Sequence, residues 1–504
     1  MTERVPEELH PETEEAIADL VVRAREAGRR VRVRGANHSV PSTIAGPGDI
    51  VLVLDRLKQL HYDAASGEVT AGAGIRLGVD PLDPLRGDGT ALCPWLHARG
   101  RALPNLGGVI HQTVAGFLAT GSGGGSARFD CATSVVGLRF VDGTGRVHAL
   151  RRETDEDCLN AVLVSIGSCG VVTSVTFRTE PAYDVAGSET VLPDCGGPVD
   201  LFADGATGLA AFFEKNDYAR ILWWPQRGVR RIVVWAVQRI LADDPAPARG
   251  YEPLPTVFGS TQPLQIAGGA ALWAIVHWRR IGRLFGPRAL RALERLAAPL
   301  EGALYRAFVD GDPERSQRFR GAWWEILPQD AKMDERWMPT TFTEIFVPLA
   351  RAGVAMRSLD RLFASDPSAA GRFAIELYAA RASASWLHPA YGHAALRINV
   401  FWLMHEPSDP RDEFLPRIWE ALAEFHPRLH WAKLFPHEPA TMVCGRFPRM
   451  DDFLALRERL DPDGVFLTEW LSTALGVSSP RPERPFAPLP RRRTRSLLLS
   501  KPMR

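Results

Sequence analysis

Two loops of this chain expose backbone N–H groups with little side-chain bulk around them. The first reads GANHS, spans residues 35–39 and follows the predicted strand VRVR. Its small leading residues let successive N–H groups converge on an anion, and Asn37 and Ser39 add side-chain donors. This pattern is typical of phosphate binding. The residues that we predict to line this site are Gly35, Ala36, Asn37, His38 and Ser39.

The second loop, residues 113–126, reads TVAGFLATGSGGGS and is again rich in glycine and small hydroxyl residues. Two such loops are more than one mononucleotide requires. Neither holds the lysine of a P-loop, and no G-x-G-x-x-G opens a helix after a strand, so the pattern disfavours an ATPase and a Rossmann domain. The residues that we predict to line this second site are Gly116, Gly121, Ser122, Gly123, Gly124, Gly125 and Ser126.

A second set of candidate residues alternates along two predicted strands near the C-terminus. Glu376 and Tyr378 share one face of RFAIELYA, and Arg397 and Asn399 share one face of LRINVFW. This is the pattern expected if both strands line a cleft. The alternative is a structural ion pair between Glu376 and Arg397, buried between neighbouring strands. Lys433 follows in the segment HWAK, where a function is favoured because an unpaired buried lysine would be costly.

A helix and several strands are predicted around the two loops. Residues 11–27 carry apolar side chains at helical spacing, and the strand 31–34 follows directly. Runs of β-forming residues, two of them joined by the turn DGTG, indicate a sheet. These further strands are predicted at 49–54, 68–73, 135–139, 146–150 and 170–177.

From residue 186 onward the composition changes, and Trp-rich strands alternate with helices. The helices are predicted at 348–363 and 417–425. The strands are predicted at 218–226, 231–237, 341–348, 372–379 and 396–402. This order indicates an α+β substrate-binding domain.

The overall composition excludes several classes of protein. With 504 residues the chain exceeds one ordinary core, so at least two domains are expected. Lys plus Arg total 60 against 59 for Asp plus Glu, so no net field attracts nucleic acid. Scattered cysteines without a C-x-x-C pair, and an acidic N-terminus unlike a signal peptide, predict a cytoplasmic protein without a metal site. The longest apolar run, residues 266–278, is shorter than the roughly 20 residues that span a membrane.

Two segments in the C-terminal half of the chain are rich in basic residues. Residues 270–307 read as helices with arginines opposite an apolar stripe. Such helices pack on their own domain, which we favour, or make weak peripheral contact with an anionic membrane. Residues 477–504 are rich in Pro and Arg and predict a disordered tail.

Taken together, these motifs resemble the FAD-binding domain of the vanillyl-alcohol-oxidase superfamily. The resemblance rests on RGANHS, VTAGAG at 69–74, TVAGFLATGSGGGS and GSCGVVTSVTF at 167–177. Within the superfamily the chain is most similar to the aldonolactone and alditol oxidase branch. LHWAKLF at 429–435 resembles the H-W-G-K motif of that branch, and DPDGVFLTEWL at 461–471 resembles its closing segment.

The resemblance implies the fold class and the domain boundaries. We expect an α+β protein in which a two-part, PCMH-type FAD-binding domain precedes an α+β substrate domain, with a sheet over the flavin. The implied domains are the FAD-binding domain at 1–182, the substrate domain at 183–476 with a C-terminal segment that returns to the flavin, and the tail at 477–504.

The resemblance also implies how FAD is held. In that branch the histidine of a G-x-x-H-S loop carries FAD covalently on its 8α-methyl group, which implies His38; the alternative is an ordinary turn histidine. Glycines 121–125 would lie on the pyrophosphate, where we expect an added Cβ, at Gly123 for example, to prevent FAD retention. Val172 reads foremost as a core residue, with contact to the adenine as the alternative. His430 is a candidate for stacking on or hydrogen bonding to the flavin.

Finally, the resemblance implies catalytic residues. In the branch a glutamate and an arginine two residues apart, with the lysine of H-W-G-K, contact substrate or flavin. This chain has Glu376 and Lys433, but Tyr378 stands where the arginine would be, and a neutral phenol supplies no cation. We expect Arg397 to replace the charge rather than Arg381, which falls on the opposite face if the strand continues.

The expected activity is that of an FAD-dependent oxidoreductase acting on a CH–OH group of a small hydroxylated substrate. The substrate would be a sugar, alditol or aldonolactone, and O2 or another acceptor would reoxidise the flavin. One alternative is a larger apolar alcohol, suggested by the tryptophans and Tyr378. Another is a flavoprotein without catalysis that serves as a binding module at a membrane.

Overall fold

A computed structural model describes most of the chain. The described residues are 7–40, 45–46, 48–80, 90–226, 228–240, 249–252, 263, 266–271, 273–274, 277, 286, 305, 309, 316–333, 336–337, 339–404, 406, 408–436 and 445–478. Of the predicted tail, residues 479–504 lie outside the described residues, and the predicted amphipathic segment 270–307 is described at only a few positions.

A small parallel sheet opens the fold. Its strands are β1 (Glu7–Leu9), β2 (Val31–Arg34) and β3 (Ile50–Val53), in the order β1-β3-β2. Helix α1 (Glu14–Glu26) connects the first two strands and begins at Thr13, whose hydroxyl accepts a hydrogen bond from the backbone of Ala16. The helix buries Ile17 and Val21 against this sheet, so the predicted helix and strand are confirmed.

A five-stranded antiparallel sheet forms the second half of the N-terminal region. Its strands are β4 (Leu60–Asp63), β5 (Glu68–Gly72), β7 (Val135–Val141), β8 (Val147–Arg151) and β9 (Val171–Arg178), in the order β4-β5-β9-β7-β8. A short pair, β6 (Arg101–Ala102) and β10 (Glu180–Pro181), and the helices α2 (Leu92–His97), α3 (Val114–Ala119) and α4 (Arg152–Leu163) complete it. The predicted hairpin is β7–β8.

An eight-stranded antiparallel sheet dominates the C-terminal region. Its strands are β11 (Asp184–Pro193), β12 (Tyr218–Trp224), β13 (Arg231–Ile240), β14 (Gln317–Ala322), β15 (Thr340–Pro348), β16 (Ile375–Ala380), β17 (Ala395–Leu403) and β18 (Arg428–Leu429). Their order is β14-β11-β13-β12-β16-β17-β15-β18. The α-helices of this region whose bounds the structure describes are α5 (Leu209–Lys215), α6 (Trp323–Ile326), α7 (Ala352–Ser365), α8 (Pro410–Glu413), α9 (Leu415–Ala421), α10 (Met450–Leu460) and α11 (Glu469–Leu475). The architecture is α+β, as expected.

One face of this large sheet is apolar. Ile221, Leu377 and Ile398, from β12, β16 and β17, are fully buried in one hydrophobic cluster. The same cluster contains Leu359 of α7 and Ile418 of α9. Burying a side chain of this size contributes about 1.5–3 kcal/mol, so this face holds the helices to the sheet.

The opposite face is polar, and the pairing of the strands arranges it in two rows. Residues directly opposite one another in an antiparallel pair share a face. The first row consists of Arg220, Tyr378, Arg397 and Phe346. The second row consists of Leu222, Glu376, Asn399 and Glu344. The predicted faces of β16 and β17 are confirmed, and the register brings them together.

The C-terminal segment packs on the N-terminal sheets. The backbone oxygen of Val465 accepts a hydrogen bond of 2.8 Å from the N–H of Val31, and that of Leu460 accepts one of 2.8 Å from Gly143. Val465 and Phe466 are buried in the same cluster as α1. The domain boundary at 182 stays a prediction; β10 ends just before it and β11 begins just after it.

The condition attached to Arg381 in the sequence argument, that the strand continues through it, is not met. Strand β16 ends at Ala380, so Arg381 lies beyond the strand and alternation does not determine its direction. Its side chain is exposed. Burial raises the pKa of Asp130 in the N-terminal region, and the charge of Arg381 opposes this shift.

Candidate active site

A cavity of about 730 Å³ opens beside the first predicted loop. This volume lies within the range of ligand-binding pockets. Its wall combines the loop 35–39, parts of 112–120 and 165–172, and residues 431–432. The predicted cofactor residues that line it are Gly35, Ala36, Asn37, His38, Ser39, Gly116 and Val172.

His38 presents an unsatisfied nitrogen in this cavity. Its Nε2 is buried and has no hydrogen-bond partner among the described residues. Its ring lies 4.5 Å from that of His111, measured between centroids. Burial lowers the pKa of His38 to about 3, and the charges of His111, Lys433 and Arg76 act in the same direction. The imidazole is therefore neutral at pH 7 and keeps a lone pair for bond formation.

The two predicted loops meet at Thr113. A Cβ on Gly35 would lie 2.5 Å from Thr113 Oγ1, and a Cβ on Gly116 would lie 2.8 Å from the same atom. Thr113 also caps α3, because its hydroxyl accepts a hydrogen bond from the N–H of Gly116. Asn37 has a left-handed φ of 68°, which Asn tolerates better than most residues. The loops therefore form one cradle with bare backbone at its contact point.

A buried cation and a strained residue form another part of the wall. Arg32 is 7% exposed, and its Nη1 donates a hydrogen bond of 2.8 Å to the backbone oxygen of Ile166. Ile166 has a φ of 57°, which is uncommon for a β-branched residue and is typical of functional sites. Burial lowers the pKa of Arg32 to about 10, while Asp49 opposes the shift, so the guanidinium stays charged at pH 7. A fixed cation here suits an anionic ligand.

Residues 121–126 do not line this cavity; they lie against the polar face of the large sheet. A Cβ on Gly124 would lie 2.0 Å from the backbone oxygen of Leu106, and one on Gly125 would lie 2.1 Å from that of Ala219. These glycines are therefore required by the protein's own backbone. A Cβ on Gly123 would meet no described atom within 4 Å, so the expected steric reason for a glycine there finds no support in the fold itself. Contact of this segment with a pyrophosphate stays a prediction.

Side-chain contacts are among those that join residues 121–126 to the region of the large sheet. Arg397 Nη1 donates a hydrogen bond of 2.6 Å to the backbone oxygen of Gly123. Ser122 Oγ lies 3.4 Å from His430 Nε2. The second glycine-rich loop therefore connects the cavity region to the two rows.

Arg397 is paired with Glu344, a residue that the sequence argument missed. Its Nε and Nη2 lie 2.9 and 2.8 Å from Glu344 Oε1. Burial alone would raise the pKa of Glu344, but the charges of Arg397, His430 and Lys433 lower it below its usual value. The alternative of a structural pair between Glu376 and Arg397 is therefore wrong, because Arg397 takes the carboxylate of the strand on its other side.

Glu376 belongs to a different cluster. Its Oε2 accepts a hydrogen bond of 3.2 Å from Asn399 Nδ2, and its Oε1 lies 3.9 Å from Arg220 Nη1. Burial, reinforced by the charge of Asp330, raises the pKa of Glu376 to about 8, and Arg220 and Asn399 only partly oppose this. A carboxyl group that titrates near neutrality can exchange a proton with a bound ligand.

Arg220 and Asp330 complete this cluster, and the sequence argument missed both. Arg220 is 4% exposed, and its Nη1 donates a hydrogen bond of 2.5 Å to Asp330 Oδ1. The Tyr378 hydroxyl donates to Asp330 Oδ2 at 3.3 Å. Burial and then Asp330 raise the pKa of Tyr378 well above its usual value, so the phenol is neutral as expected. The cation within 4 Å of Glu376 is Arg220 and not Arg397.

Lys433 and His430 lie where the cavity approaches the second row. The Nζ of Lys433 is 4.0 Å from the centroid of the Phe342 ring, and its charge acts on His38, Glu344 and His430. Burial lowers the pKa of His430 to about 4 despite the opposing charge of Glu344. Its backbone N–H donates to the oxygen of Glu344 at 3.0 Å. Lys433 is thus a half-buried charge next to a neutral imidazole.

The part of the chain that the structure describes shows three further properties. It contains no group of three His, Cys, Asp or Glu side chains placed to hold a metal ion. None of its helices combines the length and the apolar character needed to cross a membrane. Its cysteines, at positions 93, 131, 158, 169 and 195, are free thiols.

Comparison with known families now separates the chain into two matched parts. Residues 8–151 match the family described as FAD binding domain, and residues 332–474 match the family described as D-arabinono-1,4-lactone oxidase. The first match covers both glycine-rich loops, and the second covers β15, β16, β17 and Lys433. The chain is therefore similar to flavoproteins of the aldonolactone and alditol oxidase type, which confirms the resemblance seen in the sequence.

Curated relatives of this flavoprotein match it along most of its length. It is 26% identical over 478 residues to an alditol oxidase of Streptomyces sp., covering 93% of this chain and 95% of the relative. It is 25% identical over 477 residues to an L-gulono-1,4-lactone dehydrogenase of Mycobacterium tuberculosis, with the same coverage of 93% and 95%. The flavoprotein is an FAD-dependent oxidoreductase, as predicted.

Among solved structures, the fold is similar to cholesterol oxidase from Brevibacterium sterolicum. The TM-score is 0.68 at 15% sequence identity, and the alignment covers 93% of this chain and 94% of that one. At this identity the likeness supports the fold alone. Arg220 and Asp330 lie outside both family matches.

Proposed function

We propose that this flavoprotein oxidises a CH–OH group of a sugar, alditol or aldonolactone. The observation that carries the proposal is the polar face of the large sheet, which contacts the cavity region through Arg397–Gly123 and Ser122–His430. An apolar substrate would leave the buried Asn399 Oδ1 of this face, which has no partner among the described residues, without a hydrogen-bond donor. The relatives' printed names, alditol oxidase and L-gulono-1,4-lactone dehydrogenase, favour the same substrate class.

The residues around the cavity fit FAD. Gly35 and Gly116 leave bare backbone at the contact of the two loops, which suits a pyrophosphate, and Arg32 adds a buried positive charge. Val172 lines the same cavity from β9. When bound, FAD supplies an acceptor at N5 for the hydride that leaves the carbinol carbon.

We further propose that FAD is attached covalently to His38. The support is the buried Nε2 without a partner among the described residues, together with a pKa that keeps the ring neutral. An orphaned buried nitrogen costs about 1–3 kcal/mol, which a bond to the cofactor would relieve.

The catalytic roles are assigned to groups on and beside the second row. In its ionised form Glu376, whose pKa is raised to about 8, takes the hydroxyl proton as the hydride leaves. Lys433 would supply a positive charge close to the substrate oxygen or to a bound flavin, where negative charge would develop. Asn399 orients Glu376 through its amide, and Arg397 holds the segment 121–126 on the sheet. Tyr378 holds Asp330.

Four finer statements belong to the same proposal. O2 or another acceptor reoxidises the flavin, and the domain boundaries lie at 182 and 476.

The free thiols support a cytoplasmic location. Weak peripheral membrane contact is supported by Ile266 and Trp273, which are 42% and 55% exposed.

The proposal is tested by mixing the purified protein anaerobically with a panel of alditols, aldonolactones and apolar alcohols. Bleaching of the visible flavin absorbance by the polyhydroxylated compounds is the expected result. Bleaching by apolar alcohols alone, or by none of the panel, would contradict it. Admitting air after bleaching then shows whether O2 restores the spectrum.

A further inference from the structure

The cluster around Asp330 contains one buried acceptor, Asn399 Oδ1, and one buried donor, Arg220 Nε, that have no hydrogen-bond partner among the described residues. Asn399 Oδ1 is buried and has no partner among the described residues, and the Asn399 side chain is 4% exposed. Its Nδ2 donates to Glu376 Oε2, so the orphaned oxygen lies in the same cluster. Asp330 Oδ2 receives only the long contact of 3.3 Å from Tyr378. Acceptors that are unpaired or only weakly hydrogen-bonded favour a ligand that brings O–H or N–H donors.

Asp330 is the most accessible charged member of this cluster. Its side chain is 24% exposed, against 15% for Glu376 and 5% for Arg220. Arg220 lies beneath it on β12 and fixes its other oxygen. The Asp330 carboxylate is therefore held in place from below while part of it stays open to a ligand.

The N-terminal region also leaves room for this carboxylate. The Asp330 N–H donates a hydrogen bond of 2.9 Å to the backbone oxygen of Gly108. A Cβ on Gly108 would lie 2.3 Å from Asp330 Oδ2, so a larger residue would displace the carboxylate. Asp330 thus sits where the loop preceding α3 meets the polar face of the large sheet.

We propose that Asp330, held by Arg220, is a specificity-determining residue that accepts hydrogen bonds from the hydroxyl groups of a polyhydroxylated substrate. The inference rests on the proposed function and adds a residue pair outside both family matches. Arg220 is the positioning residue, because it acts through Asp330 and Glu376. Asp330 selects substrates with several hydroxyl groups over apolar alcohols, since a carboxylate left facing an apolar chain loses its hydration without compensation.

The test is Asp330→Asn, which keeps the shape of the side chain and removes its charge. We expect the substrate dissociation constant, read from the saturation of anaerobic flavin bleaching by an alditol, to rise about 10- to 100-fold. The limiting rate at saturation should change much less, because Asp330 is assigned to binding. A purely structural role would instead lower the flavin content or the melting temperature.

A matched control exists on the same sheet. Arg320 and Asp184 form an ion pair of 3.2 Å, with side chains that are 8% and 21% exposed, close to the values of Arg220 and Asp330. Asp184→Asn should leave the dissociation constant unchanged. If Asp330→Asn does not fold, Asp330→Glu keeps the charge for Arg220 but shifts the carboxylate, and it should weaken alditol binding about tenfold.

The outcomes separate the inference from the proposed function. If alditols bleach the parent and both Asp330 variants bind them as the parent does, the inference is overturned and the proposed function stands. If only apolar alcohols bleach the parent, both are overturned. A rise confined to the Asp330 variants, with Asp184→Asn unchanged, supports the inference.

Discussion

The cavity and the polar face of the large sheet are built from different material. The wall of the cavity includes backbone from short, glycine-rich loops, together with the neutral His38, the buried Arg32 and further charged side chains such as Arg34 and Arg76. The polar face is made of charged side chains on strands, packed at spacings of 2.5 to 3.9 Å. The first suits a cofactor with fixed phosphates, and the second suits a substrate that differs among relatives.

This difference indicates which of the two regions determines substrate selectivity. Backbone N–H groups bind any phosphate in the same way, so a cradle of this kind tolerates change in its side chains. The arrangement of the two rows depends on which carboxylate pairs with which arginine. Replacing one member leaves another charge buried, which typically costs 3–5 kcal/mol. Changes in the rows are therefore expected to alter substrate use while FAD stays bound.

The largest effect is expected at Lys433. Lys433→Met keeps the length of the side chain and removes the charge to which we assign stabilisation of the transition state. Losing one such group in a dry site costs about 100- to 1,000-fold in rate, so anaerobic flavin bleaching by an alditol or lactone should slow by that factor. Lys433→Arg should recover little, because a guanidinium is a wide fork and not a point charge.

The control for that change is Lys215→Met, since Lys215 is exposed on α5 and does not line the cavity. The FAD spectrum of Lys433→Met should stay intact. Equal bleaching rates for Lys433→Met and the parent would make the lysine structural and would remove one difference between the two regions.

A smaller effect is expected in the second glycine-rich loop. Gly124→Ala places a Cβ 2.0 Å from the backbone oxygen of Leu106, so we expect it to lower the free energy of unfolding by about 3 kcal/mol. Gly123→Ala meets no described atom within 4 Å and is the matched control. Denaturant titration of both variants measures the difference. If Gly123→Ala alone releases FAD while remaining folded, this segment contacts the cofactor and the cavity extends further than its lining residues indicate.

The smallest expected effect is a loss of folding stability at low pH. Burial is the main reason that the pKa of His388 falls to about 3, so it stays neutral in the fold while the unfolded chain protonates it near pH 6.5. The unfolded state then binds more protons below that pH, and stability falls as the pH falls. Between pH 6.5 and 5 this one group should remove about 2 kcal/mol.

Comparing urea unfolding at the two pH values in His388→Gln and the parent tests this. The variant should lose about 2 kcal/mol less than the parent on acidification. His61→Gln, which removes an exposed imidazole, is the control. An unchanged pH dependence in His388→Gln would show that the unfolded and folded states bind this proton alike.

Much of the fold was predictable from local patterns. The period of two along β16 and β17 placed Glu376 with Tyr378 and Arg397 with Asn399, because a strand fixes alternate side chains on one face. The glycine-rich loops indicated the FAD cradle for the same local reason. Both depend on residues that are neighbours in the chain.

The contacts that the sequence did not predict depend on the register between segments that are distant in the chain. Arg220 and Tyr378 are paired across two strands, and no local pattern in either strand identifies the other. An arginine between Ala219 and Ile221 in an apolar strand was a signal that could have been read. Asp330 lies in a loop after α6 with no periodic pattern, so only the fold reveals its contact with Arg220.

The most direct test of the account measures two properties in two variants. His38→Ala should release its FAD into the supernatant after acid precipitation, while the parent and Glu376→Gln keep theirs in the pellet. Glu376→Gln should in turn be reduced by an alditol at least about 100-fold more slowly than the parent. The account is contradicted if Glu376→Gln, with its flavin bound, is bleached by the alditol at the parent's rate.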